Sequence, residues 1–235
     1  MRTYEQNIVI DLEFNPTPKS GRNKLAFEII EIGAVRLDDK GDVVDTFNCL
    51  VKPELSEYVT RRITALTGIR TCDVEDAPVF AEALGAFARW IGGEPARIVA
   101  WSSSDRRQIQ SECAAKDVEV PPQMKRWLDL QKVYPRVMGV GDGLQMNLPT
   151  AINWYGSEMD GGSAHRALYD AKAAAALMSQ LLSGSYRQQK AALESSLKKR
   201  CGSAARLSST IGDACAGLAA LKQQMLASGQ ASAVA

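Results

Sequence analysis

Asn7-Ile8-Val9-Ile10-Asp11-Leu12-Glu13 is an apolar run that ends in two carboxylates separated by one leucine. Its Ile and Val residues favour extended backbone, so the stretch predicts a buried strand over residues 7–14. Side chains two positions apart on a strand point to the same face, which places Asp11 and Glu13 side by side. Two like charges beside an apolar run are costly unless a cation compensates them. An edge strand with one solvated face is the alternative interpretation.

The segments that follow predict a mixed sheet. Residues 27–37 and 43–51 have the composition of strands, and the polar turn at 38–42 joins them into an antiparallel meander with residues 7–14. A short buried strand at 97–101 comes next. This order is typical of an α/β fold whose sheet is antiparallel over its first three strands, then parallel, and flanked by helices. The predicted helices lie at residues 60–67, 78–91, 105–116, 131–138, 149–155 and 166–182.

The length and composition predict one good-sized domain with an appended tail. At 235 residues and 46% hydrophobic content, the chain can bury a substantial core. Its 28 basic and 27 acidic residues nearly cancel, so the total charge gives no strong reason to expect tight nonspecific binding to nucleic acid. From Gly184 onward, seven basic residues accompany only two acidic ones. We therefore divide the chain into a body over residues 1–183 and a basic tail over residues 184–235.

The tail has a heptad-like repeat of apolar residues that predicts a helix. An amphipathic helix folded back on the body accounts for this repeat. Homodimerisation through the helix and binding of nucleic acid by its basic residues are the alternatives. The repeat is interrupted by Arg200, and its two registers are Leu197, Ala204, Ile211, Leu218 and Met225, and Leu193, Leu207, Ala214 and Leu221.

The five cysteines are scattered and include no Cys-x-x-Cys pair. This pattern favours neither a disulfide framework nor a structural zinc site. The first residues run into a strand without a stretch typical of a signal peptide, and no run of about 20 apolar residues follows. We therefore expect a soluble protein of the reducing cytoplasm with no membrane partner.

Asp105 is a further candidate ligand, because it follows the predicted strand at 97–101 after three serines. It lies at a junction between strand and helix, where an aspartate is equally typical of a helix N-cap. Ser104 is the other candidate for that cap.

His165 is the only histidine of the chain and lies five residues before Asp170. Asp170 itself falls in the first turns of a predicted Ala-rich helix. An isolated surface histidine is the usual interpretation. Imidazole titrates near neutrality, however, and can take a proton from a metal-bound water while Asp170 binds the metal. The four carboxylates and the histidine suit two divalent metal ions and phosphodiester hydrolysis. Their hard oxygen ligands favour magnesium or manganese over zinc.

These residues resemble the DEDDh superfamily of 3′-5′ exonucleases, which have an RNase H-like fold. The segments at 28–35 and 66–69 are similar to the second strand of that family and to its segment after the third strand. The resemblance covers residues 7–183. In chain order, the first motif is matched by Asp11 and Glu13, the second by Asp105, and the third by His165 with Asp170.

The resemblance implies that the four carboxylates hold two Mg²⁺ or Mn²⁺ ions and that His165 activates water. Nucleoside 5′-monophosphates would leave from the 3′ end of a single-stranded nucleic acid. It also implies that Leu12 and Leu66 pack around the terminal base, for which ordinary core leucines are the alternative interpretation.

The opening Asp-Leu-Glu-Phe and the segment Leu-Thr-Gly-Ile are most similar to the branch that trims small and structural RNAs. RNA is therefore the expected substrate. The three serines before Asp105 depart from related RNA enzymes, which more often carry Gly or Asn there. A DNA proofreading or repair exonuclease, a phosphodiesterase of very short oligomers, and a binding or assembly module that uses the tail are the alternative functions.

Overall fold

The computed structural model describes residues 6–18, 25–94, 96–139, 146–155 and 165–188, together with residues 190, 191 and 195. The heptad-like registers of the tail therefore lie outside the described residues. The division of the chain at residue 183 stays a prediction. Among the described residues, no helix is both long enough and apolar enough to cross a membrane.

The described chain forms five strands, seven α-helices and one short 3₁₀-helix at Pro122–Lys125. The strands are β1 (Gln6–Pro16), β2 (Phe27–Leu37), β3 (Val43–Leu50), β4 (Ala96–Ala100) and β5 (Trp127–Asp129). The helices are α1 (Arg61–Thr67), α2 (Thr71–Val74), α3 (Phe80–Ile91), α4 (Ser104–Ala115), α5 (Leu130–Met138), α6 (Leu148–Tyr155) and α7 (Ala167–Ser183).

The strands form one mixed sheet in the order β3-β2-β1-β4-β5. The pairs β1/β2 and β2/β3 are antiparallel, whereas β1/β4 and β4/β5 are parallel. The predicted α/β fold, with an antiparallel half followed by a parallel half, is confirmed. Strand β5 and helix α2 were not predicted, because three or four residues are too few to show a period.

Strand β1 is buried on both faces, and its side chains alternate between two layers of helices. Ile8, Ile10 and Leu12 pack with residues of α3 and α4. Val9 packs on the opposite face with residues of α5, α6 and α7. Since side chains two apart share a face, Asp11 continues the face of Val9, on the side of α7.

A β-bulge follows Glu13. Glu13 lies opposite Glu31, but Phe14 lies opposite Ile29, so β2 carries one extra residue. Strand β1 continues past the bulge to Pro16. The prediction that Asp11 and Glu13 lie at the end of this strand was therefore wrong. The parallel neighbour β4 nevertheless stops where Ala100 pairs with Ile10. The carboxylates thus lie just beyond the carboxyl end of the parallel half, where open α/β sheets bind ligands.

Helix α7 begins directly on the backbone of β2 at Gly33. A Cβ atom added there would lie 2.1 Å from the backbone nitrogen of Leu168 and 2.2 Å from the carbonyl carbon of Ala167. Gly33 is also the residue that pairs with Asp11 across the β1/β2 ladder. The missing side chain therefore lets the first turn of α7 reach the strand that carries the acidic pair.

Gly33→Ala should destabilise the protein by about 1–3 kcal/mol or more, because the added methyl group overlaps backbone that cannot rotate away. Gly85→Ala is the matched control, since its Cβ inside α3 would meet only the Arg89 Nη1 atom, at 3.5 Å. Replacing a helical glycine should stabilise the protein by up to about 1 kcal/mol. Urea denaturation measures both changes, and equal effects of the two substitutions would contradict the close approach of α7.

Candidate metal centre

The carboxylates of Asp11, Glu13 and Asp170 converge at the end of the parallel half of the sheet. One oxygen atom of each lies within 4.8 Å of the others. Strand β1 supplies the first two, and the first turn of α7 supplies the third. Carboxylate oxygens at this separation can share a hard divalent cation. The structure thus brings together three of the four predicted metal ligands in one group.

Asp105 lies beside this group as the second residue of α4. Its side chain is 4% exposed and accepts hydrogen bonds from the Leu12 backbone N–H and the Ser104 hydroxyl. It is not the helix N-cap, because Ser103 occupies that position. The alternatives of Ser104 or Asp105 as the cap were therefore wrong, since the helix starts one residue earlier than predicted.

Burial raises the pKa of each of the four carboxyl groups, and repulsion from neighbouring carboxylates adds to the rise for Asp11 and Glu13. For Asp11 burial is the main cause of the higher pKa, followed by the charge of Asp105. Burial and the charge of Asp170 raise the pKa of Glu13 to about 8. Burial raises the pKa of Asp105 to about 7, against the hydrogen bonds it accepts. The excess negative charge and the all-oxygen donor set fit a divalent metal ion, which would stabilise the ionised forms.

An ion pair between a buried glutamate and a partly exposed arginine lies next to the acidic group. The Arg166 guanidinium donates from Nη2 to Glu31 Oε1 at 2.6 Å and from Nε to Oε2 at 3.0 Å. The Ala167 backbone N–H donates to the same Glu31 carboxylate at 3.0 Å, and Glu31 itself is fully buried. Arg166 offsets part of the charge of Glu31, which still helps to raise the pKa of Asp11 and of Glu13. The pair ties the start of α7 to β2.

The roles of Glu31 and Arg166 were missed in the sequence. Glu31 is an acid inside the apolar stretch at 27–37, and a fully buried acid requires a cationic or hydrogen-bonding partner. That requirement is the signal that could have found the pair. The sequence does not show which cationic residue pairs with Glu31, because Arg166 is far from it along the chain.

His165 stands immediately before α7 with its side chain exposed. Its backbone N–H donates to Asp170 Oδ2 at 3.2 Å, and its φ of 64° is in the left-handed region. Burial raises the pKa of Asp170, and the nearby charge of His165 opposes that rise. The histidine is therefore held at the edge of the acidic group, in a backbone conformation that few residues other than glycine adopt.

The two predicted substrate-binding leucines have different surroundings. Leu12 is 4% exposed and packs in the core with residues of α3 and α4. Leu66 in α1 is 45% exposed, so a ligand can contact it. Contact of either leucine with a substrate stays a prediction.

The raised pKa values predict that the metal-free protein loses stability as the pH rises. The ordinary pKa of a carboxyl group is about 4, whereas the pKa in the folded protein is about 7 for Asp105 and about 8 for Glu13. At pH values between these limits, the folded state binds more protons than the unfolded chain. With a chelator present, the Tm should therefore fall as the pH rises from about 5 to about 8. Glu13→Gln should reduce this fall, and added Mg²⁺ should oppose it. A Tm that rises over this range in chelator would contradict the prediction.

The fold and the site together define an α/β protein with an acidic, metal-compatible centre. The family described as Exonuclease (RNase_T) matches residues 8–178. The chain belongs to this exonuclease family, and the exonuclease resemblance predicted from its motifs is confirmed.

Two sequence relatives and one solved structure illustrate the match. ERI1 exoribonuclease 2 of Danio rerio is 29% identical over 150 residues, which are 54% of this chain and 27% of the relative. DNA polymerase III PolC-type of Caldanaerobacter subterraneus is 31% identical over 176 residues, covering 74% of this chain and 11% of the relative. The chain thus spans only a small part of either protein. The crystallographic nuclease domain of 3′hExo, a DEDDh family member bound to rAMP, shares the fold with a TM-score of 0.67 at 24% identity, over 76% of this chain and 92% of that one.

Proposed function

We propose that the protein is a metal-dependent 3′-5′ exonuclease that removes nucleoside 5′-monophosphates from single-stranded nucleic acid. The observation that carries this proposal is the convergence of the Asp11, Glu13 and Asp170 oxygens within 4.8 Å, with Asp105 alongside. A non-catalytic assembly module has no physical need for four converging carboxylates, of which Asp105 is buried and the other three are half-buried.

The residues have distinct proposed roles. Asp11, Glu13, Asp105 and Asp170 would hold two Mg²⁺ or Mn²⁺ ions, which would stabilise the charge that develops on the phosphate and on the departing 3′ oxygen. His165 would accept the proton of the attacking water from its exposed position beside Asp170. The pair of Arg166 and Glu31 would keep α7, and with it Asp170, at a fixed distance from β1.

RNA is the substrate that we propose first. The relative with the name ERI1 exoribonuclease 2 supports RNA, and the resemblance at the first motif points to the same branch. The polymerase relative supports the DNA proofreading alternative. The two differ in their tolerance of the 2′-hydroxyl group.

The test is incubation of the purified protein with 5′-labelled single-stranded RNA and with DNA of the same sequence in Mg²⁺. We expect a ladder that shortens from the 3′ end, faster on RNA than on DNA, and no cleavage in chelator. Faster cleavage of DNA would favour the proofreading alternative. Full-length product with both substrates would contradict the exonuclease and favour the assembly module.

We further propose that residues 1–183 form the exonuclease domain and that the protein acts in the cytoplasm. The tail at 184–235 stays a predicted helix, and a homodimer through it stays a prediction.

A further inference from the structure

The segment from Glu54 to Thr60, which joins β3 to α1, is held by a buried carboxylate. Glu28 is fully buried and accepts the backbone N–H groups of Glu54, Leu55 and Ser56 at 2.8 to 3.0 Å. Lys116 Nζ lies 3.1 Å from the same carboxylate and is shared with the carboxylates of Glu54 and Glu112, each at 2.8 Å. A buried ion is expensive, and here its hydrogen bonds all fix the backbone of a surface segment.

Asn15 attaches the same segment to the strand of the metal centre. Its Oδ1 atom accepts the Thr60 N–H at 2.9 Å, and its Nδ2 atom donates to the Tyr58 carbonyl oxygen at 3.1 Å. Asn15 is fully buried and lies two residues beyond Glu13 on β1. The position of Tyr58 is thus coupled by side-chain hydrogen bonds to the backbone that carries the candidate metal ligands.

Tyr58 itself points to solvent from this fixed backbone. It is 63% exposed, whereas Val59 beside it is buried with Ile30 and Ile69. The Val59 N–H also donates to Thr71 Oγ1 at 3.0 Å. A large aromatic ring on an immobilised backbone loses little conformational freedom when a ligand covers it.

The adjoining helix adds charge and a further apolar side chain. Thr60 caps α1 by accepting the Ile63 N–H. Arg61 and Arg62 are exposed in its first turn, and Leu66 is exposed in its last. An exposed aromatic ring and two exposed arginines thus lie on a segment that is tied to the strand of the candidate metal ligands. Aromatic rings with nearby cations bind single-stranded nucleic acid through stacking and phosphate contacts.

We propose that Tyr58 stacks on a base of the single-stranded substrate and that Asn15 is the positioning residue that fixes Tyr58 relative to the metal centre. This inference rests on the proposed function. It assigns to the segment 54–60 a binding role that explains why two buried polar side chains, Glu28 and Asn15, are committed to it.

The test compares steady-state kinetics of Tyr58→Ala, Tyr58→Phe and the unmodified protein on a short single-stranded RNA. Tyr58→Ala should raise KM by about 5- to 150-fold with kcat retained, as expected for one lost stacking contact. Tyr58→Phe keeps the ring and should keep the KM. Val44→Ala is the matched control, because Val44 is 61% exposed on β3, two strands away from β1. The KM effect should shrink on the p-nitrophenyl ester of thymidine 5′-monophosphate, which has no upstream nucleotide.

Asn15→Ala tests the positioning role. It should raise KM for the RNA, and the double variant with Tyr58→Ala should raise KM no further, because both changes remove one contact. A merely structural role of Asn15 would lower the Tm and kcat and leave KM unchanged.

Three outcomes would overturn the inference. The first is an unchanged KM for Tyr58→Ala, and the second is an equal rise of KM in Tyr58→Phe. The third is a changed molecular mass of Tyr58→Ala in light scattering without a change of KM, which would assign the surface to a second copy of the chain. Absence of hydrolysis by the unmodified protein would instead contradict the proposed function itself, so the two failures can be told apart.

Discussion

Asp11→Asn is expected to lower the initial rate of 3′-nucleotide release by about 10³-fold or more, because it removes a negative ligand from the centre that stabilises the transition-state charge. The same change should raise the Tm of the metal-free protein. Asp11 is repelled by Asp105, Glu13 and Asp170, and the neutral amide relieves that repulsion. A loss of activity together with a gain of stability is the signature of a charged group retained for binding a cation.

Asp39→Asn is the matched control for Asp11→Asn, since Asp39 is an exposed acid in the turn between β2 and β3. It should change neither the rate nor the Tm. Calorimetric titration with Mg²⁺ should show weaker binding only for Asp11→Asn. Full activity of Asp11→Asn at low Mg²⁺ would remove Asp11 from the metal centre.

His165→Ala is expected to lower kcat by about 10²- to 10⁴-fold, the usual contribution of a general base. The affinity for Mg²⁺ should remain nearly unchanged, because the backbone N–H that donates to Asp170 is still present in alanine. Alanine disfavours the φ of 64°, so a second variant is needed to separate chemistry from backbone strain.

His165→Asn supplies that separation. Asparagine tolerates the left-handed region better than alanine but cannot act as a base near neutral pH. Both variants should lose a similar share of kcat if the imidazole takes the proton. A rate restored by asparagine would show that His165 acts through its backbone conformation alone.

The parts of the fold that local pattern determines were predictable. Strand β2 occupies residues 27–37 as predicted, because its apolar run is long and ends in a polar turn. Helix α7 begins at Ala167, within one residue of the predicted start. The shared face of Asp11 and Glu13 follows from the two-residue period of a strand, and no tertiary information is needed for it.

The rest depends on contacts between distant segments. The bulge opposite Phe14 arises where β2 carries an extra residue, and the sequence of β1 alone does not show it. The choice of Arg166 as partner of Glu31, and of Glu28 as acceptor for the segment after β3, likewise requires the assembled sheet.

The core position of Leu12 follows from the same alternation that pairs Asp11 with Glu13, because the residue between them must face the other way.

The close contact of α7 with Gly33 also completes the candidate metal centre, because it brings Asp170 to the strands that carry Asp11 and Glu13. Asp11 and Glu13 are synthesised early, whereas Asp170 belongs to the last of the helices described. The contact at Gly33 closes a long loop of chain between β2 and α7. Closing this loop costs conformational entropy, which slows the step that forms the contact. A growing or half-folded chain in which α7 has not reached Gly33 therefore carries Asp11 and Glu13 without Asp170, and the three carboxylates converge only in the assembled fold.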